Sequence, residues 1–210
     1  MIRKKPMHSL IRFAHKILEN QYIYDAYQTF VGGTKYREKI ILDAINEFNP
    51  KTILDLGCGP GGTLKILPDA IYYLGIDISA NYLKLAEKKL KNGKLIFGDV
   101  TLSRNYSNLG KIDLILAMGL FHHLNDEQLT KVILNIKDLL DNGARLFSTD
   151  PTITEHTDRF AKWFANNDRG EYVRSPKALE KFFLKLNMEV KSIVKSEQFR
   201  IPLDSIELKI

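Results

Sequence analysis

From Lys51 onward, short apolar runs alternate with amphipathic stretches. KTILDL (51–56), IYYLGID (71–77), KLIFGDV (94–100), IDLILAM (112–118) and ARLFSTD (144–150) are near-continuous apolar runs, the pattern of buried parallel strands. Between them, Asn81–Leu90 and Asp126–Leu140 place apolar residues at helical spacing. Strand–helix–strand alternation predicts the α/β class, a doubly wound, mostly parallel sheet with right-handed crossovers. Downstream, residues 155–167 and 176–187 read as helices, and two short strands near 188–195 and 203–210 are expected to pair antiparallel at the sheet edge. With these two the sheet reaches seven strands. Upstream, Ser9–Asn20 puts Leu10, Phe13 and Ile17 on one face with Ile11, Ala14 and Leu18 beside them. Lys35–Phe48 does the same with Ile40, Ile41, Ala44, Ile45 and Phe48, after a break at Gly32 and Gly33. The pattern therefore predicts N-terminal helices forming a cap or lid segment over 1–50, and a core over 51–210, within a single domain.

Composition narrows the class. A chain of 210 residues, 44% hydrophobic and 27% charged, fills one core and falls short of two. No run approaches ~18 apolar residues, so no transmembrane segment is expected. Arg12, His15 and Lys16 interrupt the apolar stretch that a secretory signal needs, which points to a cytoplasmic protein. The single cysteine, Cys58, excludes an internal disulfide and a multi-cysteine zinc site, and no metal is expected. The net charge of +6 admits an anionic partner such as nucleic acid or an acidic lipid surface. The basic residues are dispersed, however, as on a solvated lysine-rich surface. Only Arg3, Lys4 and Lys5 cluster; with Arg12 and Lys16 they permit peripheral membrane contact, Leu10, Phe13 and Ile17 inserting. Packing of that helix on its own domain is the ordinary alternative. Nothing in the pattern specifies a subunit number.

The sharpest signal is Asp55-Leu-Gly57-Cys58-Gly59-Pro-Gly61-Gly62, which follows a predicted strand and leads toward a helix. Glycines there allow a tight turn and close approach of a ligand to the main chain. Gly57, Gly59 and Gly62 also satisfy the dinucleotide pattern, with Asp77 at the distance ribose recognition requires. Two residues argue against a pyrophosphate. Asp55 brings a like charge to the strand tip, and Pro60 removes an N–H from the loop.

LDLGCGPGG resembles the first motif of the class I S-adenosylmethionine-dependent methyltransferases. GIDIS (75–79) resembles the acidic second motif, FGDV (97–100) the third, IDLILAMGLFHHL (112–124) the fourth strand with its active-site loop, and LLDNGARLFSTDP (139–151) the fifth strand with its preceding turn. The resemblance implies the Rossmann-like methyltransferase fold and S-adenosyl-L-methionine as methyl donor, with S-adenosyl-L-homocysteine as product. It implies a loop of Asp55, Gly57, Cys58, Gly59 and Gly61 around the methionine part. Asp77 would accept both ribose hydroxyls, Ile78 would pack on adenine, Asp99 would accept its amino group with Val100 N–H nearby, and Met118 and Gly119 would lie near the methyl group. A carboxylate suits a vicinal diol because it is a bidentate acceptor. Asp77 capping the next helix and Asp99 merely turning the chain are the structural alternatives.

His122 and His123, just after the fourth strand, are the candidate general bases, since a neutral imidazole titrates in the useful range. Their alternative is to begin a helix and pack. The place after the fourth strand reads Ala117-Met118-Gly119-Leu120, without the Asn/Asp-Pro-Pro-aromatic tetrad of the family's amino-methylating nucleic-acid enzymes. A cysteine nucleophile for cytosine C5 is also missing, because Cys58 lies in the loop. DRGEYVRSPKALEKFF (168–183), FRIPLDSIEL (199–208) and YIYDAYQTFVGG (22–33) resemble bacterial small-molecule methyltransferases, including ones linked to cell-envelope saccharides. This implies Tyr24, Tyr27 and Gln28 as a lid and Tyr27, Arg169, Tyr172 and Arg174 as acceptor-binding residues. Solvated loop arginines are the alternative. The first expectation is thus methyl transfer to an O or N atom of a small-molecule, saccharide-related acceptor. An RNA methyltransferase, a nicotinamide-dependent oxidoreductase and a non-catalytic adenosylmethionine-binding protein are the competitors.

Overall fold

A computed structural model describes residues 33–155, 157, 172–196 and 204–210. Helix α1 spans Gly33–Phe48 and leads into β1, Thr52–Leu56; β2 is Tyr72–Asp77, α2 Ala80–Glu87 and β3 Gly93–Phe97. Then come β4, Leu114–Met118, α3, Asp126–Asp141, β5, Arg145–Thr152, α4, Pro176–Lys185, β6, Lys191–Lys195, and β7, Asp204–Lys209. The sheet has seven strands in the order β3-β2-β1-β4-β5-β7-β6. β7 runs antiparallel to both β5 and β6, as the two terminal apolar runs predict, and the remaining pairs are parallel.

Alternating side chains of the strands feed two cores. Ile115 and Ala117 of β4 pack on one face with Leu129, Val132, Ile133 and Ile136 of α3 and Leu179 and Phe183 of α4. Leu114, Leu116 and Met118 pack on the other with Ile40, Ile41, Ala44 and Ile45 of α1 and Leu83 and Ala86 of α2. Both faces are covered, which is why the central runs are apolar throughout rather than alternating. The described part of residues 1–50 is thus a layer of this core. It begins two residues earlier than its apolar pattern, at Gly33.

Helix starts are set by local chemistry. Asn125 and Gln128 form a reciprocal capping box at α3. Ser175 accepts from Ala178 N and Pro176 opens α4. The glycine loop leads only into a single 3₁₀ turn, Thr63–Lys65. Pro68 follows closely and disfavours helical backbone at Leu67. The expected helices Ser9–Asn20 and, for most of its length, 155–167 lie outside the described residues, as do Tyr24, Tyr27, Gln28 and Arg169.

Strand order reverses between β1 and β4, with β2 and β3 on one side and β5, β7 and β6 on the other. In open α/β sheets the crevice beyond the carboxyl ends of the strands at such a point is where ligands bind. The glycine loop, Asp77 and the segment after Met118 all emerge there.

Candidate functional site

The glycine loop is closed by its own hydrogen bonds. Gly57 N (2.8 Å) and Cys58 N (3.0 Å) donate to Ile76 O, and Gly61 N donates to Cys58 O at 3.3 Å. Gly59 N donates to Asp77 Oδ2 at 2.8 Å. Residue 60 is proline and has no N–H. Phosphate loops work by presenting several free N–H groups to the anion; here the N–H groups of residues 57, 58, 59 and 61 are used internally. The loop's carbonyls keep lone pairs instead, which suits an ammonium rather than a phosphate. Gly59 has φ +56° and a Cβ built on it meets nothing within 4 Å, so the concavity is open where a ligand would lie. Among the expected loop residues this makes Gly59 the one with a vacancy against its Cα.

Asp55 sits beneath the loop rather than lining it. It is 0% exposed, and its Oδ2 accepts from Thr63 Oγ1 and Tyr73 OH, each at 2.8 Å. Burial pushes its carboxyl up from the ordinary range, against the opposing pull of the Arg37 guanidinium and of Thr63 and Tyr73. Asp55 therefore repels a pyrophosphate less than an exposed carboxylate would, and the spent N–H groups disfavour one more. Cys58 is likewise buried, and burial together with Asp55 and Asp77 raises its thiol. It is a packed small side chain, not a reactive one.

Asp77 is 8% exposed and organises the site. Its Oδ1 accepts from Ser79 N at 2.7 Å while Oδ2 takes Gly59 N. Each oxygen retains a lone pair, as a vicinal diol requires. The cap of α2 is Ser79, whose Oγ accepts from Tyr82 N, so Asp77 does not cap that helix. Next to it Ile78 is 68% exposed, and across β3 Phe97 is 66% exposed. Two bare apolar surfaces thus flank an acidic strand end. Asp99 turns the chain through Oδ1 to Thr101 N at 2.8 Å, and Val100 beside it is buried.

The segment after β4 lies over the loop. A Cβ built on Gly57 falls 3.0 Å from Leu120 Cδ1, and one on Gly119 falls 3.6 Å from His122 Cε1. Met118 is buried in the α1-side core, and Gly119 (φ +73°) reverses the chain after it. His122 is 9% exposed and His123 is exposed; their ring centroids are 4.0 Å apart. Asp150 Oδ1 bonds His122 Nδ1 at 2.7 Å and accepts His122 N at 3.1 Å. A buried carboxylate on Nδ1 places the ring proton there and leaves Nε2 as an acceptor. His122 is therefore tied to a carboxylate as a base would be.

Sequence reasoning passed over Asp150, Thr63 and Tyr73. Asp150 was visible only as a residue before proline, although a carboxylate at the end of an apolar strand is a signal of its own. Of the expected acceptor residues, Tyr172 is exposed and its N–H donates to His122 O at 3.0 Å. Arg174 turns inward to the protein and is taken up below.

Fold and loop together define a Rossmann-like domain whose glycine loop spends four of its N–H groups within the protein. Residues 54–146 match a family model described as "Methyltransferase domain". A demethylmenaquinone methyltransferase of Thermotoga maritima is 34% identical over 92 residues, 42% of this chain and 40% of that protein. The chain spans about half the length of the curated relatives it matches. Among solved structures, an adenosylmethionine-dependent methyltransferase from Archaeoglobus fulgidus superposes with TM-score 0.66 at 17% identity, covering 90% of this chain and all (100%) of that one. The magnesium protoporphyrin IX methyltransferase of Synechocystis PCC 6803 with bound adenosylhomocysteine gives 0.62 at 16% identity, over 85% and 83% of the two chains. At such identities these structures speak for the fold. Over residues 54–146 the chain is thus similar to methyltransferase domains, and its fold is that of the adenosylmethionine-dependent methyltransferases above. Among the described residues no helix is long and apolar enough to cross a membrane.

Proposed function

We propose that the chain transfers the methyl group of S-adenosylmethionine to an O or N atom of a small molecule, with saccharide-related acceptors the leading class. The observation that carries the reading is the buried His122–Asp150 pair beside Gly119, in the segment whose Leu120 lies over Gly57 of the glycine loop. Bound there, the sulfonium supplies an activated methyl group, so the protein's task is alignment and proton removal. Loop carbonyls receive the ammonium, Asp77 the ribose hydroxyls, Ile78 one face of adenine and Asp99 its amino group. Gly119 gives close approach near the methyl group. His122 Nε2 takes the proton of the acceptor hydroxyl or amine, while Asp150 holds the tautomer and stabilises the imidazolium. Residues 1–32, with Tyr24, Tyr27 and Gln28, and Arg169 complete a lid and acceptor pocket in this proposal, and Tyr172 stands at its rim. The names of the quinone-precursor and porphyrin methyltransferases above favour small acceptors.

Incubation with methyl-tritiated adenosylmethionine and a fractionated cell extract tests the reading. Label is expected in the low-mass fraction and should survive ribonuclease. Label confined to ribonuclease-sensitive material would favour RNA instead, and no label in any fraction would favour a binding protein without turnover.

A further inference from the structure

We infer that Arg174 is a positioning residue for His122, the hinge pin of the dyad, and not a receptor for an anionic acceptor. The inference rests on the reading of His122 as base. A guanidinium has five N–H donors, and all five of Arg174 are engaged. Nε donates to Asp126 Oδ1 at 3.0 Å, Nη1 to Phe121 O at 2.9 Å and Tyr172 O at 3.2 Å, and Nη2 to Leu124 O at 2.6 Å and Asp126 Oδ1 at 2.8 Å. The side chain is 11% exposed. No donor is left over for a ligand.

The partners identify the task. Phe121 and Leu124 bracket the 3₁₀ turn Phe121–His123, which has no side-chain cap at its start. Within this turn of three residues Phe121 O receives only Leu124 N, at 3.2 Å, and Leu124 O and His122 O receive no N–H of the turn. Arg174 takes the first two, and Tyr172 N takes His122 O at 3.0 Å. Asp126, in the first turn of α3, ties the same guanidinium to the helix that follows. From the other side, Thr152 Oγ1 donates to Arg174 O at 2.8 Å. Thr152 stands two residues beyond Asp150, on the same face of β5. Segment 172–174 thus joins the turn that carries His122 to the strand that carries Asp150, and Arg174 makes bonds to both.

A dyad bond of 2.7 Å does not survive a shift of about 1 Å. Lysine, with three donors on one atom, cannot replace a planar fork that reaches four oxygens in different directions.

The test uses the full chain with ¹⁵N-labelled histidine and a long-range ¹H–¹⁵N spectrum, His122 being assigned by its loss in His122→Gln. In the unmodified protein above neutral pH, the ring is expected as one tautomer with the proton on Nδ1. In Arg174→Lys and Arg174→Met that lock is expected to be lost, with the two nitrogens averaging. Methyl transfer to the labelled low-mass fraction should fall about 100-fold, the scale of a 1 Å misplacement, while adenosylhomocysteine affinity stays unchanged. Added guanidinium should restore part of the rate in Arg174→Gly. A retained Nδ1 lock and near-normal rate in Arg174→Lys would overturn the inference, whether or not the methionine variant folds. An unmodified protein without the lock would instead overturn the base assignment on which it rests.

Discussion

Replacing Asp77 with alanine is expected to weaken adenosylhomocysteine binding by about 100-fold or more. Hydrogen bonds to an ionised acceptor contribute roughly 1.5–3 kcal/mol each. Two to a ribose diol give about 3 kcal/mol at the low end, or two decades of affinity. The same change strips Gly59 N and Ser79 N of their acceptors, so the loop itself loses its anchor and the loss should exceed the diol contribution alone. Asp77→Asn offers no refuge. One oxygen becomes an NH₂ group facing either Gly59 N–H or Ser79 N–H, donor against donor. Isothermal calorimetry with adenosylhomocysteine reads the effect, and thermal unfolding checks that the variant is folded. Affinity within a few-fold of the unmodified protein would mean that Asp77 only braces the loop.

Removing the imidazole should leave binding alone and stop the chemistry. Positioned general bases contribute about 10²–10⁴-fold, so His122→Ala is expected to lower the rate of label transfer by at least the lower figure. Asp150→Ala should act in the same direction and less steeply. It deletes one charge-assisted partner of the ring, on the order of ten- to a hundredfold, and leaves His122 N without its acceptor as well. The exposed neighbour is the internal control, because His123→Ala keeps the dyad. The measurement is single-turnover methyl transfer from tritiated adenosylmethionine, with adenosylhomocysteine affinity measured in parallel. Undiminished turnover in His122→Ala would assign the alignment of donor and acceptor to the whole rate enhancement and remove the base.

The architecture was largely legible because it depends on pattern. Five apolar runs and two terminal ones give seven strands, and buried parallel strands advertise themselves by lacking alternation. Asp77 and the loop were legible because glycine spacing and a carboxylate at a strand end are local features. What sequence could not display are the bonds that cross the sheet. Asp55 reads as a loop ligand until its partners, Thr63 and Tyr73, show it lying underneath. Arg174 reads as a pocket cation until four acceptor oxygens, 2 to 53 positions away in the chain, account for every N–H. Asp150 meets His122 only because β4 and β5 are neighbours. A residue type declares what chemistry it can do, and long-range pairing decides where that capacity is spent.

Two features of the loop disfavour phosphate, and they differ in strength. Charge at Asp55 was the first reason. The stronger one is an inventory of donors, in which four loop N–H groups already have partners and the fifth position is proline. That inventory also explains why the dinucleotide spacing of Gly57, Gly59 and Gly62 is misleading here: the first two glycines serve the turn, and their amides serve Ile76 and Asp77.

Calorimetry of the unmodified chain against adenosylhomocysteine and NAD in parallel cells puts this to the most direct trial. A loop with four of its amides already bonded, backed by a carboxylate with lone pairs to spare, should release heat with the sulfur nucleoside and saturate at one equivalent, while NAD gives only heat of dilution. Saturable binding of NAD with none of adenosylhomocysteine would contradict it.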